Sequence, residues 1–107
     1  MYLTLINYMN NLKSSQRNYL RSKAHHLEPV IYIGRNGVTN GAIHSINIAL
    51  SSRELIKIKF REFKDDKQAT SKEIATETLS LIVGIIGHTL ILFKQNPNPE
   101  KQIYKLP

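Results

Sequence analysis

The run Val30-Ile31-Tyr32-Ile33 is dense in β-branched residues, stops at Gly34-Arg35-Asn36-Gly37, and gives way to apolar residues at helical spacing. The helix should start near Thr39. Val38, Ala42, Ile43, Ile46, Ala49 and Leu50 fall on its apolar side, and Asn40, His44, Asn47 and Ser51 on the other. Over residues 54–61 the period changes to two: Ile56, Ile58 and Phe60 point one way, Lys57, Lys59 and Arg61 the other. A strand, a helix and a second strand in succession imply a crossover between parallel strands, and such crossovers are right-handed.

The flanking segments extend this unit. Ser14 or Ser15 is placed to cap a first helix reaching about His25, with Leu12, Tyr19, Leu20, Ala24 and Leu27 at helical spacing. Pro29 ends it and opens the first strand. Lys64-Asp65-Asp66-Lys67 reads as a turn, with Asp65 or Asp66 available as a cap. A third helix then runs to about Leu79, with Ile74, Ala75, Thr78 and Leu79 facing inward. Two strands, residues 82–86 and 89–94, are joined at Gly87-His88. The expected order is α-β-α-β-α-β-β: an α+β single domain with a four-stranded mixed sheet. Its 107 residues suit one domain. The domain should span residues 12–95, between an N-terminal extension (1–11, with Met9 an alternative start) and a C-terminal tail (96–107). Pro97 and Pro99 suggest that the tail lies against the domain or is mobile.

Several classes are excluded. With no cysteine there is no disulfide, thiolate chemistry or sulfur-ligated zinc, which accords with a reducing, cytoplasmic setting. Residues 1–11 lack the basic region and cleavage pattern of a signal peptide, and no run nears the roughly 20 apolar residues of a membrane helix. A soluble monomer is expected, with no membrane partner and no small-molecule substrate.

Charge is more informative. Fifteen Lys and Arg oppose eight Asp and Glu, for a net +7. Residues 13–61 hold nine of the basic residues and only Glu28 and Glu54 of the acidic ones, while from residue 62 onward six oppose six. The excess lies in the first part of the chain and favours a polyanionic partner over a merely basic surface. Lys13, Arg17, Arg21 and His25 fall four apart, so they form one stripe on the first helix. Like charges at that spacing repel by a few tenths of a kcal/mol per pair, a cost that makes sense if the face awaits an anion. A solvated helix surface is the alternative.

The Gly34–Gly37 turn offers a phosphate cradle. Glycines admit close backbone approach, the following helix points amides and partial positive charge outward, and Arg35 adds a fork of donors. Asn36 can shape the turn through its own side chain. A KH-type Gly-x-x-Gly clamp works this way on nucleic-acid backbone, although two glycines three apart also serve as plain turns. Neither a dinucleotide fingerprint nor a Gly-Lys-Ser/Thr follows. Lys57, Lys59 and Arg61 would extend the basic surface across the sheet if helices leave that face open. His25 and His26 diverge by about 100° on a helix and suit capping and packing better than a shared metal, although His25 could join the binding surface. No residue pattern marks catalysis, a metal or a cofactor.

These blocks carry a resemblance. Gln16-Arg17, Leu20-Arg21, Ala24-His25-His26-Leu27-Glu28-Pro29-Val30 and Ile33-Gly34-Arg35-Asn36-Gly37-Val38-Thr39-Asn40-Gly41 are similar to the YhbY family of CRM domains (chloroplast RNA splicing and ribosome maturation). Glu54-Leu55-Ile56-Lys57-Ile58-Lys59 and Ile86-Gly87-His88-Thr89-Leu90-Ile91-Leu92-Phe93-Lys94 follow in the family's order. The resemblance runs over residues 15–94. It implies a fold similar to the C-terminal domain of bacterial translation initiation factor three. It also implies binding of large-subunit ribosomal RNA or its precursor during ribosome assembly. Glu28 and His88 stand where the family often has lysine, and Leu79 where it has glycine. An RNA contact set of Gly34, Arg35, Asn36, Gly37, Lys13, Arg17, Arg21, His25, Lys57, Lys59 and Arg61 follows. A module docking an acidic protein partner and a DNA-binding domain remain the alternatives.

Overall fold

The computed structural model describes residues 12–61 and 66–107. The expected extension over 1–11, and Lys64 and Asp65 of the expected turn, lie outside the described residues. The elements are α1 (Ser14–Ala24), β1 (Pro29–Ile33), α2 (Asn40–Arg53), β2 (Leu55–Phe60), α3 (Lys67–Thr78), β3 (Leu81–Ile86), β4 (Thr89–Phe93) and a 3-10 turn, Pro99–Lys101. Together they form an α+β domain. The sheet order is β1-β2-β4-β3, with β1 parallel to β2 and the other pairs antiparallel.

Local chemistry sets most boundaries. Thr39 Oγ1 accepts the Ala42 N–H at 3.0 Å and starts α2, and Asp66 Oδ1 accepts the Ala69 N–H at 3.1 Å and starts α3. Two ends differ from expectation. Ser14 lies inside α1 and Lys13 is the N-cap, because Gln16 Oε1 reaches back to the Lys13 N–H at 3.1 Å and closes the helix start without a serine. Leu79 does not face inward. It is left-handed (φ 52°, ψ 47°) and 55% exposed, while Ser80 N–H bonds back to Ala75 O at 3.0 Å. That is a Schellman turn, whose left-handed position is normally a glycine's.

The sheet buries both faces unequally. From α2 and α3, Ile46, Leu50, Ile74 and Ala75 pack on Ile33, Ile56, Ile58, Phe60, Leu90 and Leu92. The apolar side expected for α2 is the one that packs: Val38, Ala42, Ile43 and Ala49 flank this core. On the opposite face α1 is the only helix among the described residues. Its Leu20 and Ala24 pack on Leu55, Leu81, Val83, Ile91 and Phe93.

Glu54, between α2 and β2, fastens the tail to this second core. It is 1% exposed, and its carboxylate accepts the N–H groups of Asn96 (2.6 Å), Ile103 (2.7 Å) and Tyr104 (3.0 Å). Its carbonyl accepts the Lys94 N–H at 2.8 Å. Tyr104 then stands edge-on to Phe93, and Tyr104 and Leu106 pack beside α1. Of the two expected states of the tail, the structure has it lying against the domain. Burial, then the Glu54 carboxylate, then Tyr19 raise the Tyr104 phenol above its ordinary value. Replacing Glu54 by Ala orphans three amides and should lower stability by on the order of 3 kcal/mol, with faster proteolysis of the tail. An unchanged urea midpoint would show that water satisfies those amides instead.

Candidate nucleic-acid interface

Because β1 and β2 are parallel, the segments leaving them emerge at the same end of the sheet, and α2 and α3 both begin there. In open sheets that end, with its helix N-termini, is where ligands tend to bind. The Gly34–Gly37 segment is a tight turn closed by Gly37 N–H to Gly34 O at 3.0 Å, with Gly37 at φ +67°. Arg35 and Asn36 at its tip are exposed. A Cβ placed on Gly34 would meet nothing within 4 Å, so the backbone there is open to close approach from outside. Arg61 N–H donates to Ile33 O at 2.9 Å, which sets Arg61 beside the turn. Phe60 N–H donates to His88 O at 2.8 Å and brings the β3–β4 turn to the same rim. There Lys67 Nζ donates to Gly87 O at 2.8 Å and lies 3.2 Å from His88 Nδ1.

Behind the rim, on the α1 face, is a cleft of about 510 Å³. Arg21 of α1 and His25 at its C-terminus line one side and Lys57 and Lys59 of β2 another, while Leu27, Glu28, Pro29, Ile86, Thr89 and Ile91 complete it. Lys57 is half-buried and its Nζ donates to Leu27 O at 3.0 Å, while Lys59 is exposed. Helix α1 thus covers one part of the face and leaves the basic row of β2 accessible at the other. Tyr32 pairs in register with Lys59 and carries the Arg61 guanidinium 4.1 Å from its ring centroid.

The α1 stripe divides. Lys13 is exposed, at the far end of the helix. Arg17 turns inward: its Nη1 donates to Ile82 O at 3.0 Å and Val83 O at 2.9 Å, where the β3–β4 register shifts. Arg21 lies across Gly84, so close that a Cβ there would come 3.2 Å from its Nη2. His25 is exposed and edge-on to His26, with ring centroids 5.2 Å apart. The structure therefore gathers Arg21, His25, Lys57 and Lys59 in one cleft and Gly34, Arg35, Asn36, Gly37 and Arg61 on its rim. It does not bring Lys13 or Arg17 to that cleft; Arg17 lines a separate hollow with Lys72, Thr76 and Ser80. The residues missed from sequence are Tyr32, which the strand register sets beside Lys59, and Lys67 and His88, which meet where the start of α3 reaches the β3–β4 turn. Among the described residues no three His, Cys, Asp or Glu side chains converge as a metal site would require.

The family model described as the CRS1 / YhbY (CRM) domain matches residues 12–94. The chain belongs to this family. It is 38% identical over 93 residues to the Bacillus subtilis protein named "Probable RNA-binding protein YqeI", covering 86% of this chain and 96% of that one. It is also 38% identical over 96 residues to a Haemophilus influenzae protein named "RNA-binding protein", covering 89% and 95%. The solution structure of SAV1595 from Staphylococcus aureus superposes with a TM-score of 0.75 at 31% identity, covering 90% of this chain and 99% of that one. The CRM domain accounts for α1 through the end of β4, and Glu54 then ties the tail to it.

The two arginines of α1 should separate experimentally. Arg17→Ala removes two charged hydrogen bonds from half-buried carbonyls and should lower folding stability by roughly 2 kcal/mol. Arg21→Ala, on an exposed side chain, should change it by less than about 0.5 kcal/mol. Equal urea midpoints for the two variants would deny Arg17 its structural role.

Proposed function

We propose that this protein binds structured RNA as a cytoplasmic monomer, without catalysis. The target is ribosomal RNA of large-subunit precursors. The observation that carries the reading is the convergence of Arg21, His25, Lys57 and Lys59 in one cleft beside the Gly34–Gly37 turn. Each element supplies a different part of phosphate recognition. The turn offers backbone amides and open space, Arg35 and Arg61 offer bidentate forks, and the lysines offer point charges. The names of the Bacillus subtilis and Haemophilus influenzae relatives support RNA as the polyanion.

Burial of acid charge favours the same surface. Of the two carboxylates within residues 13–61, Glu54 is committed to backbone amides at the opposite end of the sheet, leaving Glu28 at the cleft. Around the cleft and its rim Arg21, Arg35, Lys57, Lys59 and Arg61 therefore face one carboxylate, Glu28.

Affinity for RNA should fall steeply with salt, by a log–log slope of roughly −0.7 to −0.9 per phosphate contact. Filter binding across a salt series with Arg21→Ala, Lys59→Ala and Arg35→Ala should show each variant losing about one contact's share of that slope. Wild-type slopes in all three variants would take the cleft out of the interface.

In cell extract the protein should sediment with immature large subunits and be released by ribonuclease. Retention on particle protein after the RNA is digested would favour an acidic protein partner instead.

A further inference from the structure

Tyr32 is a large aromatic side chain that the fold leaves 47% exposed on an edge strand otherwise built of aliphatic residues. It pairs in register with Lys59, and the Arg61 guanidinium sits 4.1 Å from its ring centroid. It also precedes Gly34 by two residues, or about 7 Å along an extended strand. An exposed aromatic alone is unremarkable on a protein surface. One held against a guanidinium, beside a lysine and next to a turn suited to phosphate, is a flat surface set within a cationic one.

We propose that the Arg61–Tyr32 stack is the platform for one unpaired base of the bound RNA. The strand carrying that base would place its neighbouring phosphate at the Gly34–Gly37 turn. This rests on the RNA-binding reading and deepens it, because it names the class of substrate: RNA with an unstacked nucleotide rather than continuous duplex. The chemistry favours a nucleotide over an apolar protein side chain. A protein partner seated on Tyr32 would have to desolvate Lys59 and Arg61, whereas a nucleotide supplies a π-face for the ring and an anion for the cations. In A-form duplex the bases are stacked and paired, so a flat platform on a protein surface has no free base face to meet; a loop, bulge or end exposes one.

The test compares a short single-stranded RNA of mixed sequence with the blunt duplex it forms with its complement, at low salt. Tyr32→Ala and Tyr32→Leu should each bind the single strand roughly tenfold more weakly and bind the duplex as the wild type does. Tyr32→Phe, which keeps the ring, should bind both RNAs as the wild type does. The leucine variant keeps a sizeable apolar side chain on the strand without a ring, so it reports on stacking even if the alanine variant folds poorly. In the wild type, single-stranded RNA should move the Tyr32 ring proton resonances upfield, as stacking under a base requires. Wild-type affinity of Tyr32→Leu for the single strand, or equal losses on both RNAs, would overturn the platform. A wild-type protein that binds neither RNA would instead sink the RNA-binding reading itself.

Discussion

Four strands spaced about 4.8 Å apart make a sheet far wider than the roughly 10 Å that one helix can cover. Two helices, α2 and α3, shelter one face of this sheet, and α1 alone shelters the other among the described residues. The uncovered part of that second face meets water and is mostly polar, with Tyr32 and Ile86 its exposed apolar side chains. The sequence meets this by changing character along β2 itself: Leu55 lies under α1, whereas Lys57 and Lys59 follow where α1 gives out. The cationic cleft is therefore a consequence of coverage. It appears where a strand needs a polar outer row, and that row is basic because its side chains are lysines on a strand leading to Arg61.

The same geometry decides which positive charges remain for a ligand. Helix α1 lies near β3, an edge strand with a shifted register, and Arg17 binds the two carbonyls at the shift. An unmet carbonyl at half-buried depth is costly, so a guanidinium nearby is drawn inward. Arg21, one turn later, passes over Gly84, where the missing side chain leaves room, and reaches the cleft. Neighbouring arginines on one stripe thus serve different ends because the strand beneath them differs at each position. Charge counting assigns both to the surface; the strand decides which one stays there.

Much of this was legible in the residues. The change from helical to two-residue period across residues 38–61 specifies α2, β2 and the inward side of each, because apolar residues occupy nearly every inward position. The helix start near Thr39 and a cap at Asp66 were readable because each side chain bonds the amide three residues ahead, a local relation. What was not legible came either from competing local bonds at helix ends or from contacts between distant segments. The Ser14 or Ser15 cap failed because Gln16 offered a competing bond to Lys13. Leu79 carried a helical apolar position into a left-handed turn, where its period no longer described its direction. Tyr32 belonged to the candidate surface only through its register with Lys59, and Glu54 looked like an ordinary strand start until the tail came back to it.

Glu54 and Leu79 also share a backbone property that bears on the polarity of the molecule. They are the only non-glycine residues with positive φ among those described, at +64° and +52°, and each stands between a helix and the strand that follows it. Such sparsely populated backbone conformations cost a non-glycine residue on the order of 1–3 kcal/mol, so each must be held by its surroundings. Leu79 is held by the Schellman bonds of its turn, and Glu54 by the Leu50 and Lys94 backbone bonds together with its three carboxylate contacts. Both lie where helices enter strands, and at Glu54 the returning tail seals that end. The opposite end, where β1 and β2 run out into the Gly34–Gly37 turn and Arg61, has glycine at its positive-φ positions 37 and 87 and keeps its backbone accessible. One end of the sheet is closed with buried polar bonds and strained residues, and the other is left with glycines and cations. That division lets a small domain present open backbone to a ligand without loosening its core.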